Sequence, residues 1–285
     1  DYYADILALH YNTDTQMEHS LLQAVLAFQP AIVDNAGITF YKNLGSYLMR
    51  FSKRGIFEGI DYSGISSRKA ELVLMTNGSR NPEEEEIYFK NIANRLNSSW
   101  VKSSVEQELK RNRVIIDHIN AEIINATVPT GGISELGAPV AAFSFQANLY
   151  QSVFSTADSL IAGICAAYPG QAIILDIWAT WCGPCVQDMK ESADKKKGME
   201  GLPVKIVYLC VDKGASVEIW MKKIAEIGSS GTHIFLDKPL SKDLMKSFGL
   251  NAYPSYILID KDGKVHKDLI PNIANLDLDM LKRFL

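Results

Sequence analysis

The sequence predicts two structural classes in succession: an all-helical N-terminal domain over residues 1–134 and an α/β C-terminal domain over residues 135–285. Three observations predict it. The chain has 285 residues, the length of about two ordinary domains. Its first part repeats apolar residues three and four apart, whereas its second part alternates short apolar runs of strand length with helical segments. Between them, residues 127–137 lapse into Pro, Thr, Gly and Ser, a turn-rich composition that marks a boundary.

Helical spacing runs over residues 21–28, then through Phe40, Leu44, Tyr47, Leu48 and Phe51. It returns in Ile87, Phe89, Ile92, Ala93 and Leu96, and in a longer helix through Val105, Leu109, Ile116, Ile119 and Ile123. The acidic run Glu83 to Glu86 follows Asn81 and Pro82, residue types favoured at an N-cap and a first helical position. Negative charge there complements the helix dipole, so the run reads as a helix start rather than a cation site. In the second part, strands are expected at 140–145, 172–178, 204–211, 232–236 and 255–259. Asp262-Gly263, between an apolar strand and Lys264-Val265, signals a hairpin that makes the last two strands antiparallel neighbours. A closing helix is expected over 276–285.

Hydrophobic residues make up 47% of the chain and charged residues 22%, a globular profile. With a net charge of -4 and its Lys and Arg dispersed, the chain has no broad basic footprint for phosphate backbones, so no nucleic-acid partner is expected. No apolar run approaches the roughly 18 to 20 residues of a membrane span. The sequence starts at Asp1 without an initiator Met or a basic-then-apolar leader, which fits the removal of an export signal or anchor.

Four cysteines, Cys165, Cys182, Cys185 and Cys210, are too few for a disulfide scaffold. Cys182 and Cys185 have the Cys-x-x-Cys spacing of a redox motif beside an α/β pattern. The apolar strand 172–178 ends four residues before Cys182, so Cys182 should stand accessible at a helix N-terminus, where backbone N–H groups and the dipole favour the thiolate. Cys185 falls in the first helical turn as the resolving thiol. Gly183 permits close approach of a partner, and Pro184 fixes φ where its missing N–H costs little. Asp176 stands among apolar neighbours in mid-strand, where burial should raise its pKa. A zinc site lacks further ligands, because Cys165 and Cys210 are isolated and His10, His19, His118, His233 and His266 form no pair; no metal is expected. Haem attachment fails because Val186 stands where a His would follow. Cys165 and Cys210 read as buried, inert thiols.

The stretch from Asp176 through Trp178-Ala179-Thr180-Trp181-Cys182-Gly183-Pro184-Cys185 resembles the active-site segment of the thioredoxin superfamily, and within it the exported TlpA/ResA type. Tyr253-Pro254-Ser255, before an apolar strand, is similar to that family's cis-proline segment. The resemblance covers about residues 135–285 and implies a thioredoxin-like fold, with a strand and helix inserted over about 232–248. It implies Cys182 as nucleophile, Cys185 as resolving thiol and Asp176 as the general base for Cys185. It further implies a partner-docking surface of Trp181, Gly183, Pro184, Tyr253, Pro254 and Ser255. Tyr208 stands where thioredoxins often carry a Lys near the buried acid.

The function so implied is a thiol-disulfide oxidoreductase that reduces protein or small-molecule disulfides. It would use no cofactor beyond the Cys182/Cys185 disulfide and would draw on a separate electron donor. The implied setting is exported, facing the periplasm of a Gram-negative bacterium. Two other readings stand beside it. A thiol peroxidase is suggested by the α/β insertion, although Thr180 is separated from Cys182 by one residue rather than by the two of Thr-x-x-Cys. A partner-binding module with a minor redox role is suggested by the apolar helix faces of residues 1–134.

Overall fold

The computed structural model describes residues 2–30, 35–52, 69, 82–93, 96, 98–211 and 214–285. They form two compact units, Asp1–Ile116 and Asp117–Leu285. The division falls inside a long helix, ahead of the expected 134/135 boundary. The reason is local. The start of that helix lends Val101 and Val105 to the first unit's core. Past the helix, Thr127 already pairs with Ala142 of the second unit's first strand, through N–H···O bonds of 3.1 and 2.7 Å.

The first unit is helical as predicted, with α1 (Tyr2–Thr13), α2 (His19–Ala27), α3 (Asn35–Ser52), α4 (Pro82–Ala93) and the start of α5 (Ser99–Asn125). Leu7, Val25, Leu26, Phe40 and Leu44 are wholly buried in its core. Phe28 and Phe40 meet edge to face at 5.2 Å. Lys69 is buried and donates to the carbonyls of Val25 (2.9 Å), Leu26 (2.6 Å) and Phe28, satisfying acceptors that the end of α2 leaves open. Asn81, the expected N-cap, and the side chains of Phe51, Ile92 and Ala93 lie outside the described residues. Of the acidic run, Glu85 accepts from Asn112 Nδ2 at 2.7 Å and Glu86 pairs with Lys90 at 2.6 Å.

The second unit is built on a seven-stranded sheet of order β1-β2-β5-β4-β3-β6-β7. The strands are β1 (Ala138–Phe143), β2 (Ala147–Gln151), β3 (Ala172–Trp178), β4 (Val204–Val211), β5 (Gly231–Leu236), β6 (Ser255–Ile259) and β7 (Val265–Lys267). Every residue of β3 is buried, as a central strand whose run is apolar save for Asp176 requires. It lies parallel to β4 and antiparallel to β6. The Asp262-Gly263 hairpin forms as expected: Gly263 takes φ 81°, and Asp260 Oδ1 accepts from the N–H groups of Asp262 (3.0 Å) and Lys264 (2.9 Å).

Two details differ from expectation. The first strand ends at Phe143, because Gln146 at φ 62° turns the chain back into β2, which pairs with β1 and lies parallel to β5. The closing helix is shorter: Asp277 caps α11 (Leu278–Leu281) by accepting from Asp279 N–H (2.9 Å) and Met280 N–H (3.2 Å), and a 3₁₀ turn over Lys282–Phe284 follows. The remaining helices are α6 (Ala157–Ala167), α7 (Gly183–Glu191), α8 (Ala193–Gly198), α9 (Val217–Ile227) and α10 (Lys238–Phe248). The inserted strand and helix are thus β5 and α10. No helix among the described residues is long and apolar enough to cross a membrane.

Candidate active site

The central strand delivers the cysteine pair to a helix start. β3 ends at Trp178, a short turn brings Cys182 N–H to the Ala179 carbonyl at 2.9 Å, and Cys182 is the N-cap of α7. Its sulfur accepts from the Cys185 N–H at 3.3 Å, one of the donors that a helix N-terminus leaves unsatisfied. In the reduced state the same donor and the dipole favour a negative sulfur. Cys182 and Cys185 are joined in a disulfide. Cys182, expected to be accessible, is only 3% exposed in this oxidised form, and Cys185 is wholly buried. The exposed surface here belongs to Trp181, at 47%, and to Pro184, with Gly183 half-buried.

Asp176 lies in mid-β3, 1% exposed, and neither carboxyl oxygen has a hydrogen-bond partner among the described residues. Burial pushes its pKa well above the usual carboxylate range; the nearby Asp188 charge pushes the same way, and Lys196 opposes both. Its direct neighbours across the sheet are Tyr208 on β4 and Tyr256 on β6, and His233 on β5 stands beyond Tyr208. Residues opposed in this way share a face of the sheet, so these four form one row. Helix α7 covers that face: Asp188 accepts from Tyr256 Oη at 2.7 Å. Cys185, Asp188, Met189 and Ser192 are buried at helical spacing, which puts Cys185 on the stripe of α7 turned toward the row.

Asp188 has a different environment from Asp176. Besides the Tyr256 hydroxyl, its carboxylate accepts the N–H groups of Ile273 and Ala274, each at 2.9 Å. The loop that carries those N–H groups is thereby fixed to the helix that carries the dithiol. Lys196, on α8, donates to Ser229 Oγ at 3.0 Å and lies 5.1 Å from the centre of the Tyr208 ring. Burial lowers its pKa to about 8. His233 stacks on Tyr208 at 4.5 Å, and its Nε2 sits 2.8 Å from the Ser229 carbonyl. A carbonyl only accepts, so Nε2 carries the proton. Burial pushes this imidazole's pKa down to about 3.

The segment expected to form a docking edge touches the turn that precedes Cys182. The Tyr253–Pro254 peptide is cis, and Ser255 opens β6 with its hydroxyl donating to the Ala252 carbonyl at 2.7 Å. The Trp181 and Tyr253 rings meet edge to face at 5.7 Å, so the turn that precedes Cys182 touches the cis-proline segment.

Comparison with known proteins agrees with this architecture. Residues 154–275 match the Redoxin family. The chain is 29% identical over 107 residues to the thiol-disulfide oxidoreductase ResA of Bacillus thuringiensis subsp. konkukian, spanning 36% of this chain and 56% of that protein. It is 27% identical over 116 residues to ResA of Geobacillus thermodenitrificans, spanning 39% and 61%. The second unit thus has a thioredoxin-like fold and is similar to ResA-type thiol-disulfide oxidoreductases. The chain spans less than two thirds of the length of these curated relatives. Among solved structures, the thioredoxin domain of a Bacteroides vulgatus thiol-disulfide oxidoreductase aligns with 42% of this chain and 84% of its own, at 23% identity and a TM-score of 0.36.

Within this thioredoxin-like domain the structure brings Trp181, Cys182, Gly183, Pro184 and Cys185 onto one turn and sets Tyr253 against Trp181. Asp176 lies on the sheet face that α7 covers. Cys210 is buried, as expected, whereas Cys165 is only half-buried on α6. Sequence reasoning missed Asp188, Lys196 and Ser229. Asp188 had a signal, since it lies three residues after Cys185 and therefore on the same helix face. Lys196, the middle of three consecutive lysines, had none.

Proposed function

We propose that the chain is a thiol-disulfide oxidoreductase that reduces disulfides of proteins or small molecules. The observation that carries this reading is the Cys182/Cys185 disulfide at the N-terminus of α7, a helix that covers the sheet face holding the buried Asp176. In the reduced protein the Cys182 thiolate attacks one sulfur of the substrate disulfide; a bond forms between Cys182 and that sulfur, and the other leaves as a thiolate. Cys185 then gives its proton to ionised Asp176 and attacks Cys182 Sγ. The internal disulfide forms, the second substrate sulfur leaves, and two electrons have passed to the substrate. The departing thiolates take protons from solvent, and an external dithiol donor resets the pair.

The raised pKa of Asp176 makes it the stronger base for this task, as general-base catalysis near neutral pH requires. Trp181, Gly183, Pro184 and residues 253–255 are the docking surface, with the cis peptide presenting the Tyr253 backbone to an extended substrate. The Gly-Pro pair between the cysteines supports a reducing direction, and the TlpA/ResA likeness supports an exported, periplasm-facing setting. Insulin-type disulfide reduction by the full chain tests the reading. Activity should vanish in Cys182→Ser, and Cys185→Ser should hold substrate covalently on Cys182, detectable by mass spectrometry. Retained activity in Cys182→Ser would reject it, and peroxide consumption faster than disulfide reduction would favour a peroxidase.

A further inference from the structure

Among the described residues, Lys196 is the one cation that bears on Asp176. The groups facing that carboxyl come from every element packed around it: Asp188 from α7, Lys196 from α8, Tyr208 from β4 and Tyr256 from β6, with His233 of β5 behind Tyr208. Both tyrosines have pKa values raised by burial, and His233 is neutral because burial lowers its own. Three of the facing groups therefore carry no charge near neutrality. Only Asp188 and Lys196 act on Asp176 as charges, with opposite signs.

The position of Lys196 is determined by the fold. Its ammonium is anchored on Ser229 Oγ and lies over the Tyr208 ring, while the Ser229 carbonyl accepts from His233. Ser229 is 4% exposed and His233 fully buried, so the half-buried Lys196 is anchored on a buried group. At position 208, directly across from Asp176, a tyrosine provides an aromatic face instead of a charge. A ring face attracts an ammonium, which lets a lysine from another element reach the same space.

We propose that Lys196 is a positioning residue for proton transfer at Cys185, supplying from α8, through the Ser229 anchor and the Tyr208 ring, the positive charge that faces the buried Asp176 carboxyl. The inference rests on the oxidoreductase reading for its consequence, but not for its measurement. Removing the cation disfavours the Asp176 carboxylate, so less of it is ionised at a given pH, and the Cys185 proton is accepted only at higher pH. Removing the Asp188 charge acts in the opposite direction.

The test titrates the Asp176 carboxyl directly by carbon-13 NMR in the oxidised full chain, alongside the pH profile of mixed-disulfide resolution. Lys196→Gln should move the Asp176 midpoint upward and slow resolution at pH 7 about tenfold, a change equivalent to one pH unit on the acidic limb. Lys196→Arg should restore most of both, and Asp188→Asn should move the midpoint downward. A merely structural role would not produce opposite shifts. Should Lys196→Gln fail to fold, Ser229→Ala loosens the anchor and should give a smaller upward shift. An unchanged Asp176 midpoint in a folded Lys196→Gln or Ser229→Ala protein overturns the proposal. A displaced midpoint in a protein that reduces no disulfide would sustain it and reject the oxidoreductase reading instead.

Discussion

Two aspartates on one dry face meet opposite fates. Asp188 has three donors and Asp176 has none among the described residues, so the lone pairs of Asp176 alone are all left without a donor. The difference reaches stability. The unfolded Asp176 carboxyl ionises near 3.8, while in the folded protein burial holds ionisation to a much higher pH. Its contribution to stability is therefore full below about that value and is lost as pH rises toward the folded pKa. Asp176→Asn should raise the melting temperature of the oxidised protein at neutral pH, with the advantage shrinking toward pH 4, as calorimetry across that range would record. His233, buried and neutral, weakens both proteins alike below pH 6.5, so the difference between them isolates Asp176. The same substitution should slow mixed-disulfide resolution by about a hundredfold, the usual scale of a lost general base. Burial of Asp176 could be read from its apolar neighbours. Of the charges that tune it, Asp188 could have been found from its place on the helix face of Cys185, whereas Lys196 could not, because it comes from a helix whose spatial neighbours no local pattern specifies.

At the scale of elements, α7 does two jobs: its first turn holds the dithiol, and its second turn holds Asp188, which ties the helix to β6 through Tyr256 and to the loop at Ile273 and Ala274. Tyr256 is two residues past the cis proline, so one carboxylate joins the sulfurs' helix to the strand that follows that proline. Asp188→Ala strands one buried and one half-buried N–H group and a buried hydroxyl and should cost about 3 kcal/mol in denaturant unfolding. The elements themselves were unevenly legible. The apolar run of β3 and the Asp-Gly turn before β7 announce themselves, because one reflects complete burial and the other a positive φ. β2 did not. Its five residues include exposed Asn148 and Gln151, and the turn before it depends on Gln146 at positive φ, a residue type with no such preference. The helix 276–285 was overextended because its apolar spacing continues through a cap at Asp277.

Across the whole molecule, the helical first part and the α/β second part are both visible in hydrophobic period alone, since each period reports which face of an element meets a core. The position of the division was not visible. Composition places it at the Pro- and Gly-bearing stretch, whereas Thr127 and Glu122 already bond to Ala142 and Ser144 of the second unit. Apolar spacing cannot reveal that a helix changes allegiance partway along. Within the second unit, protection is graded by place in the sheet. β3 is bonded on both sides and buried throughout, whereas β7 is a three-residue edge strand with two exposed residues. Deuterium exchange should therefore find the amides of Ile174 to Ile177 opening only with the whole unit, and those of β7 exchanging orders of magnitude sooner. The slowest-exchanging strand is the one that ends just before Cys182, so fraying at the periphery would leave the sulfurs anchored, and their chemistry should persist until the unit melts as a whole.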